Sequence, residues 1–188
     1  MIQKEKILQS TLELAKSEGW RWLTISKIAH VNDVDEQVVK KFFPTKYSIF
    51  FSLIDHVDQT FVNTVDLKSL ESANDKIFDL LMARFDSLAP YKDIVESIMF
   101  DDNFNIFIFK DLIIKLSESM KITLNASGVT TVGFIGHLNV KGLLIVYLNT
   151  LRIWIKDDSI DMGKTMSALD KSLKKLIFLT ELINNRQK

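Results

Sequence analysis

Apolar residues recur along this chain at helical rather than alternating spacing, as at Ile7, Leu8, Leu12 and Ala15, and only two prolines and six glycines interrupt 188 residues. The pattern predicts an all-α fold. A first helix is expected over 7–16, followed by two short amphipathic segments within LTISKIAHVNDVDEQVVKKFFPTK, residues 23–46. Thr24 can cap the free backbone N–H groups of a helix that carries Ile25, Ile28 and Ala29 on one face. Asn32 and Asp33 supply turn chemistry. Asp35 is a second cap, with Val34 before it and Val39 after it at the spacing of a hydrophobic staple. The second short helix begins near Glu36 and stops by Phe43, because Pro44 disfavours helical geometry in the preceding residue and has no N–H to donate. Thr45 can then cap a third helix starting at Lys46-Tyr47.

That third helix is expected to run over 47–65. A polar break over 66–74 follows, then a helix over 75–87 with Ile77, Phe78, Leu81 and Phe85 on one face. Pro90 punctuates the chain before a segment over 91–100. An aromatic stretch, Phe104 to Phe109, leads into a helix ending near Lys121, and a loop is expected at Ala126-Ser127-Gly128. Val132 to Ile155 is the most apolar tract. His137, Asn139, Lys141 and three glycines argue against a membrane span, since a charge near the centre costs roughly 2.5–3.5 kcal/mol on insertion scales. A helix buried on nearly all sides is expected instead. A following helix over 162–182 offers a partner surface, with Met166, Leu169, Leu173, Leu176 and Leu179 in register. The two would form half of a four-helix bundle completed by a second copy, with Leu143, Tyr147, Leu151, Trp154, Met166, Leu169, Leu173 and Leu176 as interface candidates. The turn between them, residues 156–161, has ordinary surface-turn chemistry.

Residues 23–46 have the spacing of a helix-turn-helix, in which the second helix lies in the major groove and flanking groups hold phosphates. Thr24, Ser26, Lys27 and Lys46 are the phosphate-contact candidates; Glu36, Gln37, Lys40 and Lys41 are the candidates facing the groove. Gln37 can pair bidentately with adenine, either lysine with guanine, and Glu36 can accept from cytosine N4.

These residues resemble the DNA-binding domain of TetR-family transcriptional regulators. The family pattern is a long first helix, an Ile-Ala pair in the second, a short recognition helix and a Phe-Pro-polar-Lys ending. The corresponding residues here are 7–16, Ile28-Ala29, 35–42 and Phe43-Pro44-Thr45-Lys46. The resemblance covers about a third of the chain. It implies an all-helical homodimer with a DNA-binding domain over 1–48 and an effector-binding, dimerising helical body over 49–188, acting on a double-stranded operator as a ligand-responsive repressor. Two positions depart from the pattern: Gln37 stands where a glycine is usual, and Lys40 where a tyrosine packs on the phosphate backbone. Gly19-Trp20 and the Phe-Pro pair also resemble the TetR-shaped accessory proteins of ubiquinone biosynthesis, which bind lipid or isoprenoid instead of DNA. That alternative stays open, because Asp35 and Glu36 place acid at the start of the recognition helix.

Charge does not decide between the two. Residues 1–50 carry eight Lys or Arg and six Asp or Glu, and the whole chain 24 of each sign. No global field draws it to nucleic acid or anionic membranes, so any such affinity is local. Cysteine is absent, which excludes disulfides and thiolate metal sites. The N-terminus MIQKEKILQS has no signal-peptide core, and a cytoplasmic location is expected. A sizeable core is expected, since 47% of residues are apolar. Phe78, Phe85, Phe100, Phe104, Phe107 and Phe109 crowd the middle of the chain. In a TetR-like body Phe78, Met82, Phe85, Phe100, Phe104 and Phe107 would line a cavity for a small apolar effector; the same rings can equally fill the core. Nothing suggests an enzyme. His30, His56 and His137 lie in three different predicted helices without a neighbouring acid and nucleophile, and no phosphate-binding glycine loop, cofactor motif or metal site is evident.

Overall fold

A computed structural model describes residues 2–185, with side chains from Gln3 to Leu176. All regular structure among the described residues is helical: α1 (Ile2–Glu18), α2 (Ile25–Asn32), α3 (Glu36–Phe42), α4 (Lys46–Thr60), α5 (Ala73–Leu88), α6 (Lys92–Met99), α7 (Ile106–Ala126), α8 (Gly133–Ile155) and α9 (Gly163–Asn185), with short 3₁₀ turns at 20–22, 61–64 and 89–91. The chain divides into two compact units. One comprises Met1–Val57 with Leu88–Lys115, the other Asp58–Ser87 with Leu116–Lys188.

The predicted helices are all present, with several boundaries displaced: α1 begins at Ile2, five residues earlier than expected, and α7 runs on to Ala126, five residues past Lys121. Helix α4 ends at Thr60, five residues earlier than expected; Phe61 is fully buried and Phe61–Thr64 tightens into a 3₁₀ turn closed by the Thr64 hydroxyl on Phe61 O at 2.7 Å. The β-branched run Val62, Thr64, Val65 favours that exit to extended backbone. The fifth helix begins two residues before Asp75, because Ser72 is its cap: its Oγ accepts from Asp75 N at 3.0 Å and donates to Asp75 Oδ2 at 2.6 Å.

In the first unit, Ile7, Leu12, Ile28, Val39, Phe43, Ile49 and Leu53 are essentially inaccessible to solvent, and Trp20 is buried beside Tyr47. Their burial welds α1, α2, α3 and the start of α4 into one core. In the second unit α8 packs along α9. Gly142 permits the close approach, since a Cβ there would lie 2.5 Å from Leu176 Cδ1. By length and composition alone α8 could cross a membrane, yet Val140, Leu143, Tyr147, Leu151 and Trp154 along it are buried in the unit.

One expectation is corrected here. Leu143, Tyr147, Leu151, Trp154, Leu169 and Leu173 are buried within a single chain, so they have no free surface to offer a second copy. Leu176 is half-buried, and Met166 alone of the eight interface candidates is exposed. The stripe read as an interface is spent inside one chain, where α8 packs along α9 and its Tyr147 and Trp154 meet Phe85 of α5. A helical stripe of this kind specifies a packing face without saying whose surface covers it. Leu179 lies outside the described side chains.

Candidate nucleic-acid interface

Both short helices are capped as their sequences require. Thr24 Oγ1 accepts from Lys27 N at 3.2 Å, and Asp35 Oδ1 accepts from Gln37 N at 2.7 Å. Between them the backbone turns at Asp33, which takes the left-handed conformation at φ 52° and donates its N–H to the Ala29 and His30 carbonyls. Aspartate tolerates that region better than most side chains do. Asn32 fixes the turn onto α1: its Nδ2 donates to Ile28 O at 2.8 Å and its Oδ1 accepts from Ser10 Oγ at 2.8 Å. Ser10 was not legible as part of this motif, because nothing local connects it to residue 32.

In α3, Val39 faces the core, as does Phe43 just beyond it. Gln37, Lys40 and Lys41 are exposed and Glu36 is half-buried. The groove candidates therefore lie on the side of the helix away from the core, and Val34 at its entry is half-buried, as a staple residue is. At the head of α4, Thr45 and Ser48 cap reciprocally: Ser48 N donates to Thr45 Oγ1 at 3.2 Å, and Thr45 N to Ser48 Oγ at 3.3 Å.

The charges on this face are largely answered from within. Lys27 Nζ lies 2.6 Å from Glu18 Oε2, and Lys40 Nζ lies 3.1 Å from Glu36 Oε2. The hydrogen bonds from Lys40 and from the Ser26 hydroxyl hold the Glu36 carboxyl below the usual carboxylate range. Lys46 Nζ lies 3.2 Å from Asp101 Oδ2 and 5.7 Å from the Trp20 and Tyr47 ring centroids. Lys41 has no ion pair among the described residues.

Asp101 is a residue that sequence reasoning missed. It sits in the α6–α7 connection, is 9% exposed, and accepts from Tyr47 Oη at 2.9 Å, Asn103 N at 3.0 Å and Asn103 Nδ2 at 3.2 Å as well as from Lys46. Burial alone would raise its pKa. The bonds from Asn103, Tyr47 and Lys46 outweigh that and pull the carboxyl down to about 2. The Tyr47 hydroxyl moves the other way, pushed up to about 12 by burial and by its bond to Asp101. Its 54-residue separation from Tyr47 left no local signal in the sequence.

The six effector candidates are shared between the units: Phe78, Met82 and Phe85 in the second, Phe100, Phe104 and Phe107 in the first. Phe85 is fully buried, stacked on Tyr147 at 5.3 Å and beside Trp154 at 5.5 Å, as a core ring is. Phe78 and Met82 are half-buried. Phe104 meets Tyr47 edge-on at 6.1 Å, while Phe100 and Phe107 are exposed. No group of three or more His, Asp or Glu side chains among the described residues could hold a metal ion.

No protein-family model and no curated protein sequence matches this chain. Solved structures do match it. The TetR transcriptional regulator from Nitrosomonas europaea ATCC 19718 aligns with a TM-score of 0.77 at 19% identity, over 95% of this chain and 99% of its own. A TetR transcriptional regulator from Rhodococcus sp. RHA1 gives 0.70 at 15%, over 93% and 94%. The transcriptional regulator FadR from Bacillus subtilis, in complex with stearoyl-CoA, gives 0.54 at 18%, over 92% and 96%. At such identities the likeness is one of fold.

Proposed function

We propose that this chain, on a fold it shares with TetR-family transcriptional regulators, is a homodimeric DNA-binding regulator: a ligand-responsive repressor acting in the cytoplasm. Residues 1–48 form its helix-turn-helix domain and 49–188 its effector-binding and dimerising body. The observation that carries this reading is the doubly capped α2–turn–α3 unit, whose short second helix buries Val39 and leaves Gln37, Lys40 and Lys41 exposed on the other side. Thr24, Ser26 and Lys27 flank it as phosphate contacts, Lys46 stands beside them paired with Asp101, and Glu36, Gln37, Lys40 and Lys41 meet base edges. A small apolar effector binds in the body, with Phe78 and Met82 as its contacts. The FadR structure with stearoyl-CoA supports an effector of that class, since it shows this fold holding an acyl chain. The second copy docks on the residues that α8 and α9 leave outward, Ile145, Ile153 and Met166.

Selection of purified protein against a pool of random duplex DNA at two salt concentrations tests the reading. Enrichment of a palindrome is expected, since a dimer reads two half-sites. Within the enriched site, Gln37→Ala should relax preference at one base, whereas Lys27→Ala should weaken all sequences alike and reduce the salt slope by about 0.9. Identical behaviour of the two variants would sink the assignment.

A second reading is favoured by the internal pairing of Lys27, Lys40 and Lys46: a lipid- or isoprenoid-binding accessory protein on the same fold that has lost DNA binding. Failure to retain any DNA at either salt, with retention of a fluorescent acyl or isoprenoid probe, would select it.

A further inference from the structure

Three lysines within residues 23–46 are paired, and the pairs are of two kinds. Lys27–Glu18 and Lys40–Glu36 join side chains that are each 44–47% exposed. Such surface pairs contribute at most about 1 kcal/mol and exchange readily for another anion. The pair at the head of α4 is built differently. The Asp101 side chain is 5% exposed and that of Lys46 22%. Asp101 is also held by Tyr47 Oη and twice by Asn103, so it cannot swing away when another acceptor approaches Lys46. The ammonium Nζ lies 5.7 Å from the ring centroids of Trp20 and Tyr47, which are themselves buried. A cation at the first residue of a helix opposes the helix dipole, and a fixed carboxylate beside it removes that conflict. Lys46 is thus neutralised by a partner with a permanent place in the fold.

We propose that Asp101 is a built-in competitor for the DNA phosphate that Lys46 would contact, so that the α6–α7 connection withholds one phosphate contact from the interface. This rests on the DNA-binding reading and deepens it: the basic residue that closes the helix-turn-helix is available only when Asp101 lets it go. Neither charge is idle. The carboxylate is ionised throughout the neutral range, and removing it leaves Lys46 as a free cation 5.7 Å above two aromatic rings, ready to turn outward.

The test titrates a mixed-sequence DNA duplex with the full-length wild type, Asp101→Asn, Lys46→Met and the double variant, between about 50 and 200 mM salt. Asparagine keeps the size of Asp101 and an acceptor for Tyr47; methionine keeps an unbranched stem at position 46 and removes the charge. One added phosphate contact steepens the salt slope by about 0.9, which is roughly a 3.5-fold larger loss of affinity across that range. Asp101→Asn should show that steepening with tighter binding at low salt, Lys46→Met should match wild type, and the double variant should lose the gain. Tyr47→Phe removes one anchor of Asp101 without altering a charge, and should shift binding in the same direction by less, so the proposal does not hang on one variant. An unchanged slope in Asp101→Asn and Tyr47→Phe overturns it, as does a flatter slope in Lys46→Met alone, which would mean Lys46 already reaches phosphate. If wild type binds and the variants match it, only the competitor falls. If none of these proteins holds the duplex, the DNA-binding reading falls with it.

Discussion

Asp58→Ala should be among the most destabilising single substitutions in the second unit, because of what it leaves behind. Asp58 pairs with Arg84, whose side chain is fully buried. Arg84 Nη2 donates to Ser119 Oγ at 3.2 Å, and Ser119 Oγ donates to Asp58 Oδ2 at 2.5 Å, closing a three-membered network across α4, α5 and α7. The guanidinium carbon lies 5.6 Å from the Phe61 ring centroid and 5.3 Å from that of Tyr147. Arg84 Nε has no hydrogen-bond partner among the described residues. Without Asp58, a buried cation keeps one hydroxyl and two ring faces. Cation–π contacts return up to about 2 kcal/mol when desolvated, less than the charge needs. Breaking a buried pair on one side costs about 3–5 kcal/mol. In a chain of this size each kcal/mol moves Tm by roughly 2–4 °C, so a fall of about 6–20 °C is expected.

The double variant Asp58→Leu with Arg84→Met removes both charges and fills the space with apolar groups. Such replacements are often neutral or better, so it should recover most of the loss. Thermal unfolding followed by circular dichroism, run as a double-mutant cycle, reads both terms. A cost below about 1 kcal/mol for Asp58→Ala, or a double variant no more stable than the worse single one, would refute the reasoning.

Two further predictions concern stability. Asp157 is buried before α9 and accepts from Thr165 N at 2.8 Å, Thr165 Oγ1 at 2.7 Å, Ser159 N at 3.2 Å and Ser159 Oγ at 2.5 Å. Burial works to raise its carboxyl, but the bonds from Ser159 and Thr165 prevail and hold it well below the usual range. Its folded pKa is therefore depressed, and its contribution is present above the unfolded value near 3.9 and lost as pH falls below it. Asp157→Asn should cost about 2 kcal/mol at neutral pH, and the gap from wild type should narrow below about pH 4; a constant gap across pH would exclude the carboxylate as its source. Gly136→Ala should destabilise by about 1–3 kcal/mol, since a Cβ there would collide with the Thr131 carbonyl carbon and lie 2.6 Å from its oxygen, both fixed backbone atoms. Gly142→Ala should cost less, because it meets only the end of the Leu176 side chain; equal costs in denaturant titration would contradict this.

Local order along the chain was set by the sequence alone. Thr24, Asp35 and Thr45 cap their helices in the structure as their spacing required, and Phe43-Pro44 ends α3, because caps and breakers act within three or four residues. The core side of α3 at Val39 and the helix over 133–155 were likewise legible from periodicity. Partnership was decided by the tertiary structure. The stripe through Leu143, Tyr147, Leu151 and Leu169 announced a packing face, but only the folded chain shows that face spent inside one chain. Lys46 carries the same sequence signal whether it is free or paired; that Asp101 meets it follows from where the α6–α7 connection falls, 55 residues away by position. Arg84 in the middle of an amphipathic helix gave no hint of burial between Phe61 and Tyr147, since the desolvation of a charge and its compensation by Asp58 and Ser119 depend on atoms from separate helices. Contacts within a helical turn are encoded by neighbours in sequence. Those between distant charges exist only once the apolar faces have packed and brought them out of water together.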